Sequence, residues 1–348
     1  TPYQPEASQG TLQAIYEYQS MITELTGLDV SNASHYDGAT SLAEAALLAL
    51  RHTNRTQIVA ARSLHPHYRE VLKTYVTGTP YAMAEFGFQA GKQLDGNDLE
   101  SKLSAETAAV VVQTPNFFGV VEDLEGLAER LHAQGILLIL VTSPVALGIL
   151  RSPGEWGADL AVGDGQPWGM PLNFGGPYLG FFAATRSLMR QIPGRLCGLT
   201  RDREGRRAFC LTLQAREQHI RRERAASNIC TNQALCALAA CVAMTLLGKQ
   251  GVEELARLNL DRAHYLRGRM KSLGGFHVDG DMFVFNEFSV RSDRPFSKIR
   301  DKMLGRGILA GIGLEEFYPE LTNEFLVCAT ETKTQEQIDR FVEELSRC

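Results

Sequence analysis

Residues 108–141 read AAVVVQTPNFFGVVEDLEGLAERLHAQGILLILV, and this stretch decides the fold class. Its two ends, AAVVVQ and ILLILV, are continuous apolar runs, which is typical of strands buried on both faces. Between them, EDLEGLAERLHAQG has the spacing of an amphipathic helix that ends at a glycine. A strand, a helix and a second strand in this order predict a parallel pair with a crossover helix.

The same alternation continues on both sides of this unit. Upstream we predict helices in TLQAIYEYQSMITEL, GATSLAEAALLALR and HYREVLKTY, and strands in QIVAA and YAMAEF. Downstream we predict strands in ADLAVG and LGFFAAT. Apolar strands that alternate with helices indicate an α/β protein with a large, mostly parallel sheet covered by helices.

The pattern changes in the last third of the chain. Two long helical stretches come first, NQALCALAACVAMTLLG and GVEELARLNLDRAHYLRGRMKSLG. Short strands follow in MFVFNEF, ILAGI and EFLVCAT, and Thr334 is a suitable cap for a last helix in QEQIDRFVEEL. We therefore predict a large α/β domain over residues 1–250 and a small α+β domain over residues 251–348.

The amino-acid composition argues against several classes of function. The chain has 348 residues, 44% of them hydrophobic, and a formal net charge of −5. Its seven cysteines include no C-x-x-C pair and its histidines show no metal-binding spacing, so we expect neither disulfides nor a metal site, and a cytoplasmic location. Acidity without interleaved aromatics argues against nucleic-acid binding, and we expect no membrane partner. The opening TPYQPEASQG lacks a methionine, so we expect an upstream segment to be absent.

Two stretches could hold an anionic, flat ligand. DGATSLAEA places a glycine and two hydroxyls at a helix start, where free backbone N–H groups attract anions. Aminotransferase-like enzymes hold the phosphate of pyridoxal phosphate at such a position, although many such sequences are only good helix caps. In SLHPHYREVL, His65 follows a strand, where it could stack on a ring or simply form a hydrogen bond in a loop.

Two parts of such a cofactor site are missing from the sequence. A carboxylate should follow the central strand to pair with the pyridine nitrogen, but Val141, Thr142 and Ser143 stand there. A lysine should follow some tens of residues later, but the sequence has none between Lys102 and Lys249. We therefore expect no internal Schiff base in the usual place, and the catalytic residue stays unknown.

Six motifs resemble the glycine decarboxylase (P-protein) family of the glycine cleavage system, and specifically its N-terminal half, subunit 1. They are TPYQPEASQG, SNASHYDGAT, SPGEWGAD, GDGQPWGMPLNFGGP, PGRLCG and REQHIRRERAASNICTNQ. The resemblance implies a fold-type-I pyridoxal phosphate transferase fold similar to aspartate aminotransferase. It also implies that roughly the first hundred residues of a typical subunit are missing here. The family's cofactor lysine belongs to subunit 2, and Gln166 falls on that position or one residue away.

The resemblance further implies that this chain completes a partner's site through two interface loops. Tyr3, Gln4, Glu6 and Ser8 would line the glycine side. Ser227, Asn228 and Thr231 would donate hydrogen bonds to the cofactor phosphate across the interface. The alternative for each is an ordinary capping or turn residue. Three arginines could meet the phosphate or an acidic partner protein, or be solvated helix charges: Arg221, Arg222 and Arg224.

Three functions remain open at this point. In the first, pyridoxal phosphate on subunit 2 serves glycine decarboxylation in an α2β2 heterotetramer, and the aminomethyl group passes to the lipoyl arm of H-protein. In the second, this chain binds the cofactor itself through Lys92, Lys102 or Lys249. In the third, it is a non-catalytic structural subunit that stabilises its partner.

Overall fold

A seven-stranded sheet forms the centre of the N-terminal part of the protein, in a computed structural model that describes residues 2–229, 232–278, 280 and 282–348. The order across the sheet is β1-β7-β6-β5-β4-β2-β3. Strands β2 to β6 are parallel, β7 runs antiparallel to β6, and β1 runs antiparallel to β7. The strands are β1 Val30–Ser31, β2 Gln57–Ala61, β3 Ala82–Phe86, β4 Thr107–Gln113, β5 Leu137–Val141, β6 Leu160–Asp164 and β7 Gly180–Ala184.

Helices cover both faces of this sheet. Alternate residues of β2 point to opposite sides, so Ile58 packs with α2 and α3 while Val59 packs with α4 and α5. The interiors of β2 and of β4 to β7 are buried, as continuous apolar runs predict, whereas the edge strand β3 is buried only at Phe86. The helices before β6 are α1 Gln9–Thr26, α2 Gly38–Thr53, α3 Pro66–Val76, α4 Gly96–Lys102 and α5 Leu127–His132.

A β-hairpin and a long helix follow the sheet. The hairpin strands are β8 Leu196–Arg201 and β9 Arg207–Thr212, and the short helix α6 Gln218–Arg221 comes after them. The long helix α7, Ala234–Lys271, is broken at Gly248, whose φ of 63° is readily adopted only by glycine. This break separates the two helical stretches predicted from sequence.

The N-terminal half of α7 is apolar on two sides. One side packs against α1 and the sheet through Ala237, Ala240 and Met244. Among the described residues, α7 is the helix long and apolar enough to span a membrane by length and composition. A third of its most apolar window is buried inside the protein, and core helices commonly pass the same test.

The C-terminal part contains a four-stranded antiparallel sheet in the order β10-β11-β13-β12. Its helices pack on it through Phe296, Met303 and Val342. The domain limits 1–250 and 251–348 stay a prediction, because α7 runs across them. The elements are β10 Phe276–Val278, β11 Glu287–Ser292, α8 Phe296–Leu304, β12 Ile312–Gly313, β13 Glu324–Cys328 and α9 Gln335–Ser346.

Candidate functional site

The carboxyl edge of the large sheet brings together the start of α2 and the ends of β2, β5 and β6. Asp37 caps α2, since its carboxylate accepts a 2.8 Å hydrogen bond from the Thr40 backbone N–H. The neighbouring Gly38 N–H donates to Asp164 Oδ2 at 3.3 Å. Two carboxylates of this chain therefore already occupy the helix start that the sequence predicts as an anion site.

Tyr68 fills the remaining space at this helix start. A Cβ placed on Gly38 would lie 2.0 Å from Tyr68 Oη and 2.9 Å from the Asp164 backbone nitrogen. Burial and the nearby Asp164 and Asp37 charges hold the Tyr68 pKa well above its usual range, so the phenol stays neutral. We call this group, Asp37, Gly38, Tyr68 and Asp164, the closed cleft.

Asp164 is the buried acid of the closed cleft. Burial raises its pKa to about 6, although hydrogen bonds from the Gln166 and Gly38 backbones oppose the rise, and the Asp37 charge adds to it. A dianionic phosphate next to these two carboxylates would be repelled rather than bound.

Gln166 lies directly after β6 and is committed to a turn. Its backbone N–H donates to Asp164 Oδ1 at 2.8 Å, and its side-chain Nε2 donates to the Met170 carbonyl at 2.8 Å. A carboxamide is not a Schiff-base nucleophile. At the end of β5, the Thr142 hydroxyl donates to the Thr114 carbonyl, where a cofactor site would need a carboxylate.

The lysines considered from sequence lie elsewhere. Lys92 forms a buried ion pair with Glu324 of β13, with 2.9 Å between Nζ and Oε2, and its ammonium lies near the rings of Phe88 and Phe118. Lys102 pairs with Asp98 on α4, a helix that leads into the amino end of β4. Lys249 is exposed on α7, just after the break at Gly248.

His65 sits at the carboxyl end of β2 but packs on this chain's own rings. Its Nδ1 accepts a hydrogen bond from the His67 backbone at 3.2 Å, and its ring lies about 5 Å from those of Tyr68 and Phe117. Burial, followed by the His67 and Arg69 charges, lowers its pKa to about 4. The imidazole is therefore neutral and serves as a cap for α3.

A second polar group, which we call the Tyr3 cluster, joins the two loops that the sequence singled out. Arg195 Nη2 donates to Tyr3 Oη at 2.9 Å, and Arg195 Nη1 donates to Asn232 Oδ1 at 3.1 Å. The Tyr3 ring also meets the His219 ring edge-on at 5.3 Å. The predicted loops are therefore held together. Arg195 itself was missed from sequence, although it lies in the PGRLCG motif.

The other residues of the N-terminal loop lie on the surface around Tyr3. The Gln4 carbonyl accepts hydrogen bonds from the Ala7 and Ser8 backbones at 3.1 Å, which makes a tight turn before α1. Tyr3, Gln4 and Glu6 are exposed, and Ser8 is half-buried at the helix start. Their roles toward a substrate stay a prediction.

The second loop is anchored at Ser227. Its hydroxyl accepts a 3.1 Å hydrogen bond from the Ile229 backbone and also contacts the buried Glu44 carboxylate of α2. Asn228 is exposed, and Thr231 lies outside the described residues. The three nearby arginines predicted as charge partners are all exposed: Arg221, Arg222 and Arg224.

Large apolar side chains are exposed near these loops. On α7 they recur at helical spacing as Leu235, Leu238, Val242 and Leu246, the last of which is 82% exposed. Phe174, in the glycine-rich loop after Gln166, is 96% exposed. Contiguous exposed apolar side chains of this kind are typical of protein–protein or membrane interaction sites. We call the four α7 residues the apolar stripe.

Comparison with known proteins gives the family. The model of the glycine cleavage system P-protein family matches residues 1–345. The chain belongs to the glycine cleavage system P-protein family. A P-protein relative from Thermomicrobium roseum, "Probable glycine dehydrogenase (decarboxylating) subunit 1", is 54% identical over 99% of this chain and 77% of its own length.

Solved structures agree with this membership. A P-protein glycine decarboxylase of the glycine cleavage system, crystallised in inhibitor-bound form, superposes with a TM-score of 0.94 at 43% identity, covering 100% of this chain and 78% of that one. A NifS-like protein, 14% identical, superposes with a TM-score of 0.72 over 97% of this chain and 88% of its own, and shows the fold alone. The predicted fold-type-I pyridoxal phosphate transferase fold is confirmed.

The P-protein fold raises the question of whether this chain's own cleft fits pyridoxal phosphate. Tyr68 fills the helix start, Asp37 and Asp164 oppose a phosphate, and the Gln166 carboxamide after β6 is not a nucleophile. The described residues of the closed cleft do not fit the cofactor.

Proposed function

We propose that this chain is subunit 1 of a glycine dehydrogenase (decarboxylating) and completes a site whose pyridoxal phosphate is held by a lysine-bearing subunit 2. The observation that carries the proposal is a contrast between two regions. The chain's own cleft is closed, whereas in the Tyr3 cluster Arg195 holds the exposed Tyr3 by hydrogen bonds. Such a chain is suited to supply walls for another chain's site.

Arg195 holds Tyr3 so that the Tyr3 hydroxyl can donate a hydrogen bond to a partner chain. Its oxygen accepts N–H groups of Arg195, which leaves the phenolic O–H as a donor toward the partner. We assign Tyr3, with Gln4, Glu6 and Ser8 around it, to the glycine side of the site. Arg195 is a positioning residue, because it fixes both Tyr3 and Asn232.

The second loop is assigned to the cofactor phosphate. Ser227 and Asn228 supply hydroxyl and amide groups, and Thr231 is assigned with them from the family resemblance. Glu44 contacts the Ser227 hydroxyl, and Arg195 holds the far end of the loop at Asn232. A loop fixed at both ends loses little conformational entropy when it binds.

The chemistry itself belongs to the partner's cofactor: bound pyridoxal phosphate supplies an electron sink while glycine loses CO2. This chain's contribution is to orient groups and to exclude water from the reacting carbon. The aminomethyl group then passes to the lipoyl arm of H-protein. We assign Arg221, Arg222 and Arg224 to the surface that meets the phosphate or the acidic partner protein.

The apolar stripe supports assembly with subunit 2. Its four side chains, together with Phe174, expose apolar area that a monomer would leave in water. We assign this face to the subunit interface of an α2β2 heterotetramer. Burial by a partner would also close the site against solvent.

The test is glycine-dependent exchange of labelled CO2 with lipoylated H-protein. We expect activity only when this chain and subunit 2 are mixed. Tyr3→Phe and Asn228→Ala should lower turnover of the mixture by ~10-fold or more, because each removes a donor to the reacting site. The matched control is Tyr16→Phe, since Tyr16 packs on Phe209 from α1.

A structural-subunit function is the second candidate, and the apolar stripe is the observation that favours it. In that case subunit 2 alone would turn over glycine, and Tyr3→Phe would leave the mixture unchanged. Activity in this chain alone would contradict both candidates.

A further inference from the structure

A cavity of about 220 Å³ lies between the last turn of α2, the segment after β7 and the segment around α6. We call it the arginine cavity. The residues that matter here are Arg51, Arg190, Arg216, Glu217, Arg221 and Ser227. Its volume is many times the ~10–15 Å³ that a single water requires, so a polyatomic ion fits.

Arg216 lines this cavity and has N–H groups next to it without a partner among the described residues. Its Nη1 donates to the Ile192 carbonyl, which fixes the guanidinium plane. Its Nε and Nη2 are buried and have no hydrogen-bond partner within the described part of the chain. Burial lowers its pKa despite the attraction of Glu217, so the charge is incompletely compensated.

Arg51, in the last turn of α2, also lines the cavity and also has a buried N–H group without a partner in the part of the chain that the structure describes. Its Nη2 is buried without a hydrogen-bond partner among the described residues. Burial lowers its pKa as well, although Glu44 and Tyr81 oppose the change. Buried guanidinium N–H groups are normally satisfied, because the loss of their water is costly.

The charge balance indicates the class of ligand. Arg51, Arg190, Arg216 and Arg221 supply four positive charges around the cavity. The carboxylates beside them are Glu217 and Glu44, so at least two positive charges are left over. Arginine matches phosphate oxygens with paired, planar donors, and a phosphate group carries close to two negative charges.

We propose that the arginine cavity binds a phosphate group, with Arg51 and Arg216 as its principal ligands. Arg51 lies in the last turn of α2, about 20 Å along the helix from Gly38 at ~1.5 Å per residue. The closed cleft therefore plays no part in this binding. The phosphate is either the free ion or the monoester of a larger molecule.

The experiment titrates the full chain with inorganic phosphate by calorimetry, at constant ionic strength maintained with sodium chloride. We expect saturable binding of one phosphate per chain. Arg216→Gln and Arg51→Gln should each weaken binding by ~10-fold or more. Arg203→Gln removes the same charge from the exposed hairpin turn and should leave binding unchanged.

Thermal unfolding separates ligand binding from a purely structural role for these arginines. In phosphate-free buffer, Arg51→Gln should unfold at or above the wild-type temperature, because it removes an unbalanced charge. In phosphate, the wild-type protein should gain more stability than either variant, because the variants bind phosphate more weakly. A variant that is destabilised equally in both buffers would overturn the proposal, as would phosphate binding that Arg216→Gln leaves intact.

A parallel titration with glycerol 2-phosphate identifies the source of the phosphate. Equal or tighter binding of this monoester supports a phosphorylated molecule, and binding of inorganic phosphate alone supports the free ion. Binding of neither, beyond the effect of chloride, refutes the site. These results do not depend on glycine turnover, so they stand apart from the proposed function.

Discussion

Replacing Asp164 by asparagine should change how the stability of the large sheet depends on pH. Burial raises the Asp164 pKa from its ordinary value of 3.8 to about 6. The folded chain therefore favours the neutral acid. Its contribution to stability is complete below pH 4 and is lost as the pH rises through about 6.

The size of the change in stability follows from the difference between the ordinary and the raised pKa of Asp164. At ~1.36 kcal/mol for each pH unit, ionised Asp164 costs the folded state about 3 kcal/mol at neutral pH. Asparagine cannot ionise, so the variant avoids this cost. The Gly38 and Gln166 backbone N–H groups both donate to Asp164, and asparagine would place its own N–H donor against one of them. The cost of this lost hydrogen bond is nearly the same at every pH.

The assay is urea unfolding of wild type and Asp164→Asn between about pH 4 and pH 7, followed by tryptophan fluorescence, to which Trp168, buried in the loop beside the closed cleft, contributes. We expect the variant to gain about 3 kcal/mol relative to wild type across this range. Asp261→Asn, at an exposed site on α7, is the control. A difference that stays constant with pH, or that changes in the opposite direction, would refute the reasoning.

Three further outcomes are expected. Lys92→Met should destabilise the fold by about 3–5 kcal/mol in urea unfolding, because it leaves Glu324 buried and unpaired, and adding Glu324→Gln should recover most of the loss. Gln166→Lys should develop no aldimine absorbance near 420 nm when pyridoxal phosphate is added to this chain alone, because Tyr68 fills the closed cleft. Leu246→Asp should weaken association with subunit 2 by ~10-fold or more in sedimentation, because it places a charge in the apolar stripe.

Each of these has a control or a contradicting result. Lys102→Met removes an exposed ion pair and should change stability by less than about 0.5 kcal/mol. An absorbance band in Gln166→Lys would show that the closed cleft opens. Leu309 is as exposed as Leu246, so Leu309→Asp should leave association unchanged if the apolar stripe is the interface.

The centre of the fold could be predicted because its signals are local. AAVVVQ and ILLILV became β4 and β5 almost residue for residue, since strands buried on both faces need continuous apolar runs. The break in α7 could be predicted from a glycine between two helical stretches, and Gly248 adopts a positive φ there. Thr334 caps α9 as predicted, in a reciprocal pair of hydrogen bonds with Gln337.

Other elements depend on contacts that periodicity does not encode. EDLEGLAERLHAQG was predicted as one helix, but α5 begins only at Leu127, because Gly126 has a φ of 71° and Glu122 turns inward to bond Asn116. The predicted strand MFVFNEF was largely wrong: β11 begins at Glu287, and Val284 makes only an isolated bridge to Val120.

The candidate site also has features that could be predicted from the sequence and features that could not. The missing lysine and carboxylate could be read directly from sequence, as absences at expected positions. The closure of the cleft could not, because Tyr68 and Asp164 are far apart in the chain and meet only through α2. Arg195 was missed because one arginine among many carries no signal until its partners are known.

The closed cleft also decides what the folding of this chain depends on. A protein that binds a ligand only when folded gains stability from it, by mass action, in proportion to RT ln(1 + [L]/Kd). With Tyr68 and Asp164 in place of a cofactor, this subunit draws no such stability from pyridoxal phosphate. Under the proposed function, the folded population of this chain before assembly is therefore independent of the supply of pyridoxal phosphate, and the chain is ready to assemble when subunit 2 has bound the cofactor.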